Sequence, residues 1–174
     1  MKKKSLKNIF LFVISLILTA WGQPSGWNLF GSVSAIISYA LLWYSLRGLP
    51  ARKVFMWSFL WFASVQCIQL SWMTADDYQG FYIHIVYLLL SSMIALQFAI
   101  LSLLVMSYSP PLALHALVAA SLWTLFEYSR LYFFTGFPWN PVGLSLSCND
   151  FTAQMAAASG IYGLSFWVIF TNIF

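Results

Sequence analysis

The chain alternates between long apolar blocks and short polar breaks. The blocks fall near residues 8–21, 27–46, 54–75, 81–107, 112–131 and 152–174. Most approach the ~20 residues needed to cross a hydrocarbon core about 30 Å thick. Each break carries turn chemistry: Gln23-Pro24-Ser25-Gly26, the Gly48 and Pro50 loop, Asp76-Asp77, and Pro110-Pro111. Within the blocks the period-2 alternation of a membrane barrel is missing, so the spans are read as helices. The pattern predicts an all-α, polytopic transmembrane bundle of about six spans. Residues 1–174 form one transmembrane domain, with a Gly/Pro-aromatic loop or re-entrant segment between spans five and six.

Composition supports this pattern. The chain is 61% hydrophobic and 7% charged, where a soluble domain has about 25% charged residues. The basic tail and short first block resemble a secretory signal, with Ala20 and Gly22 as a conceivable cleavage pattern. Five further spans and the flanking Trp21 and Trp27 favour a retained helix.

Charge then orients the chain. Seven of the eight Lys and Arg stand at or before Lys53, in the N-terminal tail and the Arg47–Lys53 loop. The positive-inside rule puts both on the cytoplasmic side of a multi-pass protein. The Asp76-Asp77 loop and the stretch before Asp150 then face outward. The basic residues flank spans and form no groove with stacking positions, which gives nucleic-acid binding no support.

One stretch departs from the frame. Phe126 to Gly143 reads FEYSRLYFFTGFPWNPVG and holds the only Glu of the chain and the only basic residue beyond Lys53. Gly136, Pro138 and Pro141 interrupt it among aromatic residues. Such a backbone at membrane depth is tolerated only where protein or a water-filled cavity covers it. Glu127 and Arg130 are three apart and share a helix face. Two readings fit them: a self-neutralising pair with Arg130 reaching outward, or a lipid-phosphate site with Arg130 as ligand and Glu127 orienting it. Phe137, Pro138 and Trp139 fit either an aromatic belt or the floor of an acyl-chain cavity. Gly136 permits a tight bend.

Other candidates carry less. His84 and His115 open spans from opposite sides, of order 20–30 Å apart, and cannot share a metal. Gln66 and Gln69 share a face of span three and suit hydrogen bonding across helices. Ala156 with Gly160, and Ser159 with Gly163, allow close helix approach. Cys67 and Cys148 lie in unrelated contexts and suggest no metal or redox motif. Every Lys lies on the cytoplasmic side, whereas Glu127 and Cys148 lie toward the outside. These residues cannot assemble a Cys-Lys-Glu catalytic set, and no cofactor is expected.

Glu127-Tyr128-Ser129-Arg130, followed by Phe134-Thr135-Gly136-Phe137-Pro138-Trp139 and Gly143, resembles the membrane-domain signature of bacterial apolipoprotein N-acyltransferases. Gln23-Pro24, Ser71-Trp72 and the Gly160–Phe166 run follow in a similar order. The resemblance implies an inner-membrane enzyme that moves an acyl chain from a phospholipid to the diacylglyceryl-cysteine of a lipoprotein precursor, through a thioester. It implies that Glu127, Arg130, Gly136, Pro138 and Trp139 shape the lipid entrance. The catalytic Glu, Lys and Cys of such enzymes belong to a nitrilase-like domain, expected downstream of Phe174, where the last span reads as interrupted. The chain alone is therefore expected to be inactive. The alternative is a non-enzymatic six-span scaffold or a transporter half.

Overall fold

The structure, a computed structural model, describes residues 2–22, 28–75, 80–108, 110–133, 136–147 and 149–174. The Gln23–Gly26 turn, Asp76, Asp77, Phe134, Thr135 and Cys148 lie outside the described residues. Six α-helices are described: α1 (Lys2–Trp21), α2 (Asn28–Leu46), α3 (Ala51–Gln69), α4 (Tyr82–Ser107), α5 (Leu112–Phe133) and α6 (Asp150–Ile173). Two 3-10 turns, Ser71–Thr74 and Val142–Leu146, complete the described elements. Each helix overlaps one apolar block, but α3 ends at Gln69, short of residue 75, and α1 begins at Lys2 within the basic tail. Three of them, α4, α5 and α6, are long and apolar enough to cross a membrane; α1 and α2 contain shorter apolar stretches, Leu6–Trp21 and Phe30–Leu46.

Packing closes the helices into a ring. In spatial order α1 meets α2, then α6, α5, α4 and α3, and α3 returns to α1. The ring surrounds an aromatic core rather than an aliphatic one. Phe98 of α4 sits at its centre, with ring centroids 4.3 Å from Phe62, 5.5 Å from Trp61, 5.6 Å from Trp123, 5.7 Å from Tyr39 and 6.2 Å from Trp43. One ring thus touches α2, α3 and α5 at once. Such pairs add about 0.5–1.5 kcal/mol each beyond area burial. That matters where lipid tails are as apolar as the helices and packing must drive association.

Hydrogen bonds between helices reinforce the ring. Trp61 Nε1 donates to Ser15 Oγ of α1 at 3.0 Å, and Trp43 Nε1 donates to Ser102 Oγ of α4 at 3.1 Å. Asn172 joins α6 to α2: its Oδ1 accepts from the Ala40 N–H at 2.9 Å, and its Nδ2 donates to the Ala35 carbonyl at 2.5 Å. Tyr87 Oη donates to the Cys67 carbonyl. The outward faces are apolar, with Leu88, Leu89, Leu96, Ile100 and Leu104 exposed along α4. This is the reverse of a soluble helix, which exposes its polar face.

Candidate functional site

The site begins on the last turns of α5. Trp123, Glu127 and Arg130 follow one another at four and three residues, so they share one face. That face points into the bundle. Glu127 is 2% exposed and Arg130 is 1% exposed. Glu127 Oε1 accepts from Trp123 Nε1 at 2.8 Å and from the Val142 N–H at 2.8 Å. Arg130 Nε donates to Gln97 Oε1 of α4 at 2.9 Å, and its guanidinium lies 5.3 Å from the Trp123 ring centroid. Glu127 Oε2 and Arg130 Nη2 have no hydrogen-bond partner among the described residues. Arg130 therefore does not reach outward. Both charges lie beneath the surface that the sequence assigned to them.

What Glu127 supports is the chain that follows. Val142 bonds to a residue six positions before the end of α5, so the chain turns back into the bundle by about 9 Å at 1.5 Å per residue. Val142, Gly143, Ser145 and Leu146 are buried, and their 3-10 turn packs on α6 and α2. Gly143 makes this approach possible. A Cβ there would stand 2.6 Å from the Ile161 carbonyl oxygen and 2.6 Å from the Ser165 nitrogen. The Gly143 N–H donates to Ser165 Oγ at 3.0 Å. Ser165 follows Gly160, whose φ of 65° and ψ of −174° break α6 into two helical segments.

Between α5 and this turn lie the predicted entrance residues. Gly136 has φ of 78°, a left-handed conformation that glycine adopts without strain. Pro138 is exposed. Trp139 is 58% exposed, and its ring centroid lies 5.6 Å from that of Trp72, itself 56% exposed. The next residue, Asn140, is buried and also left-handed, with φ of 61°. Its Nδ2 donates to Gln66 Oε1 at 2.8 Å and to Gln69 Oε1 at 2.7 Å, both on α3. Gln69 Nε2 donates onward to the Thr19 carbonyl of α1 at 2.8 Å. The cross-helix role expected of the pair is met by Gln69, through Thr19 of α1, while Gln66 bonds to Asn140 of the loop, a partner the two share.

These contacts form one side of a cleft of about 460 Å³ at the end opposite the basic loop. Trp21, Trp72 and Trp139 give it apolar walls, and Gln69 and Asn140 give it amide groups. Of the five predicted site residues, Trp139 lines the cleft. Gly136 and Pro138 lie on the path that delivers it, and Glu127 and Arg130 lie below. Asn140 was not singled out from the sequence, and Trp21 and Trp72 were read only as an interface anchor and as part of the resemblance. The signal for Asn140 was its place between Trp139 and Pro141: Asn is one of few residues that visit the left-handed region readily.

A bundle of apolar helices, folded around an aromatic core and closed at one end by a re-entering Trp-bearing segment, defines a helical membrane domain. The chain belongs to the apolipoprotein N-acyltransferase N-terminal domain family, whose model matches residues 15–174. It is 31% identical over 172 residues to the apolipoprotein N-acyltransferase of Chlamydia pneumoniae, covering 95% of this chain and 32% of the relative. Against the enzyme of the same name from Rickettsia bellii it is 48% identical over 50 residues, which is 29% of this chain and 10% of the relative. The enzyme of Haemophilus influenzae is 26% identical over 179 residues, covering 97% of this chain and 33% of the relative. The chain thus spans about a third of the length of the first two Chlamydia relatives it matches.

Proposed function

We propose that this chain is the membrane part of a phospholipid:apolipoprotein N-acyltransferase. It crosses the bacterial inner membrane six times with its N-terminus in the cytoplasm. Its task is to hold the acyl donor, a membrane phospholipid, and the acceptor, a diacylglyceryl lipoprotein precursor, at the cleft beside Trp139. The reaction proceeds in two steps. An enzyme thiolate attacks the phospholipid ester, forming a thioester and releasing a lysophospholipid. The free α-amino group of the lipoprotein cysteine then attacks the thioester, forming an amide, losing a proton and regenerating the thiol. A nitrilase-like domain outside these residues supplies the thiol, its base and its lysine, so the 174-residue chain has no transferase activity alone.

The observation that carries this reading is the Trp139–Trp72 cleft held from beneath by Glu127 and Asn140. Both substrates carry acyl tails that diffuse within the leaflet. An apolar cleft at the bundle end, open to that leaflet, fits a tail and brings the reacting carbonyl to the interface. Positioning of this kind lowers a barrier by several kcal/mol. Glu127, being buried, serves by fixing the segment that carries Gly136, Pro138 and Trp139, and Arg130 by tying α5 to Gln97 of α4, rather than by touching lipid.

The test is photocrosslinking with a phospholipid that carries a diazirine in its acyl chain. Labelled peptides are expected to include Trp72 or Trp139. In a full-length protein containing this region, W139A is expected to lower lipoprotein N-acylation at normal expression. Unchanged acylation would reduce Trp139 to an interface anchor, and N-acylation by the 174-residue chain alone would overturn the division of labour.

A further inference from the structure

The first helix ends where the Trp139 cleft begins. The last four carbonyls of an α-helix have no intrahelical donor, and α1 ends at Trp21. Two of these carbonyls are met by neighbouring helices. Ser34 Oγ of α2 donates to the Leu18 carbonyl at 2.5 Å, and Gln69 Nε2 of α3 donates to the Thr19 carbonyl at 2.8 Å. Ala20, next in line, is 4% exposed. Gly22 sits so close to α2 that an added Cβ would collide with the Ser34 side chain. The Ala20 and Gly22 pair that resembled a cleavage pattern is therefore packing surface, and the end of α1 is tied to both α2 and α3.

One amide places all three tryptophans of the cleft. Gln69 Nε2 holds Thr19, two residues before Trp21, and Gln69 Oε1 accepts from Asn140, the neighbour of Trp139. Trp72 follows three residues after Gln69, on the 3-10 turn Ser71–Thr74. The three rings differ in what they touch. Trp72 and Trp139 pair with each other, with centroids 5.6 Å apart. Trp21 is 54% exposed, lines the same cleft and pairs with no other aromatic ring among the described residues. A polar ligand would leave these indoles facing it without a match, whereas a hydrocarbon tail would cover them.

We propose that α1 is a working wall of the cleft and that Trp21 is a substrate-contacting residue, with the lipid acyl tail lying against its ring. This rests on the cleft reading above and deepens it. Gln69 is the positioning residue, because it holds the end of α1 and the Trp139 segment with one side chain. The tail belongs to a phospholipid or to the diacylglyceryl group of a lipoprotein precursor, and both present the same hydrocarbon. Lipid outside the cleft is as apolar as the tail itself. Retention in the cleft therefore comes from packing against fixed rings rather than from the hydrophobic effect.

The experiment photolyses two probes with the purified 174-residue chain in detergent: a phospholipid and a diacylglyceryl-cysteine peptide, each with a diazirine in one acyl tail. Labelled peptides are quantified by mass spectrometry across a range of probe concentrations. Trp21 is expected to label more heavily than Phe81, which is 80% exposed and stands outside the cleft lining. Labelling by either probe supports the contact, and the probe that labels identifies the source of the tail. W21A is expected to weaken probe binding, read from the labelling of Trp72 and Trp139, by about fivefold. Its Tm is expected to stay within about 2 °C of wild type, because the ring is half exposed, and W21F should recover most of the binding. Equal labelling of Trp21 and Phe81 would make Trp21 an interface anchor and overturn the inference, as would unchanged probe binding in W21A. Label on none of the three tryptophans would overturn the cleft as a lipid site altogether.

Discussion

The carboxylate of Glu127 accepts the backbone N–H of Val142, fifteen residues further along the chain, at 2.8 Å. A side chain on α5 thereby fixes the depth to which the following segment re-enters the bundle. The same oxygen accepts from Trp123 Nε1, so removing it orphans two buried donors at once. It also leaves the Arg130 guanidinium buried without its neighbouring carboxylate. E127A is therefore expected to lose about 3 kcal/mol or more. E127Q keeps a carbonyl acceptor for Val142 and is expected to lose less. Thermal unfolding in detergent ranks the two. Hydrogen exchange at the Val142 amide should quicken in E127A well before global unfolding; unchanged protection there would show that the segment is held by other contacts.

Asn140 provides the second anchor, and two features of it separate by mutation. Its side chain bridges Gln66 and Gln69, while its backbone occupies the left-handed region at φ of 61°. N140G loses the bridge and keeps the conformation at no steric cost. N140A loses the bridge and adds about 1–2 kcal/mol of backbone strain. Each interhelical bond in a membrane protein is worth about 0.6 kcal/mol on average. The expected order of stability is wild type, then N140G, then N140A. Equal losses in both variants would mean that backbone strain at position 140 contributes little.

These anchors show what the sequence could reveal. Helix positions were legible because apolar block length and Gly or Pro punctuation are local signals. Gln66 and Gln69 were legible as a polar pair on one helix face. Their partner was not, because a carboxamide 74 residues away from Gln66 in the chain leaves no periodic trace. Glu127 and Arg130 were legible as a pair, but not their direction. At a helix end an i, i+3 pair can face the interface or the bundle, and only the returning Val142 backbone supplies the buried partner that decides it. The aromatic core was hidden for a similar reason. Phe98 looks like any other apolar residue of α4 until three other helices bring Tyr39, Trp43, Trp61, Phe62 and Trp123 around it.

Removing that central ring tests the frame itself. F98A would leave a cavity touching α2, α3 and α5 and would break five ring contacts. Buried Phe→Ala changes cost about 3–5 kcal/mol. F98L, which keeps most of the volume, is expected to cost less than half of that. The measurement is unfolding in detergent, followed by Trp fluorescence, to which Trp43, Trp61 and Trp123 contribute among the nine tryptophans. A small loss in F98A would indicate that neighbouring rings collapse into the space.

The two signature glycines are expected to fail for different reasons. At Gly143 the obstacle is contact. An added methyl would stand 2.6 Å from backbone atoms of both Ile161 and Ser165, and neither can rotate away. G143A must push the 3-10 turn off α6, at a cost of about 1–3 kcal/mol or more. It should also weaken the Gly143 bond to Ser165 Oγ. At Gly136 there is room: the nearest atom to an added Cβ, the Leu131 carbonyl oxygen, is 3.7 Å away. The obstacle there is the φ of 78°, and G136A is expected to cost about 1 kcal/mol. Asparagine tolerates that conformation better than alanine, so G136N should recover part of the loss while G143N should be worse than G143A. Thermal unfolding of the four variants separates the mechanisms. Recovery by asparagine at position 143 would mean that the 3-10 turn is not seated on α6 as closely as these distances require.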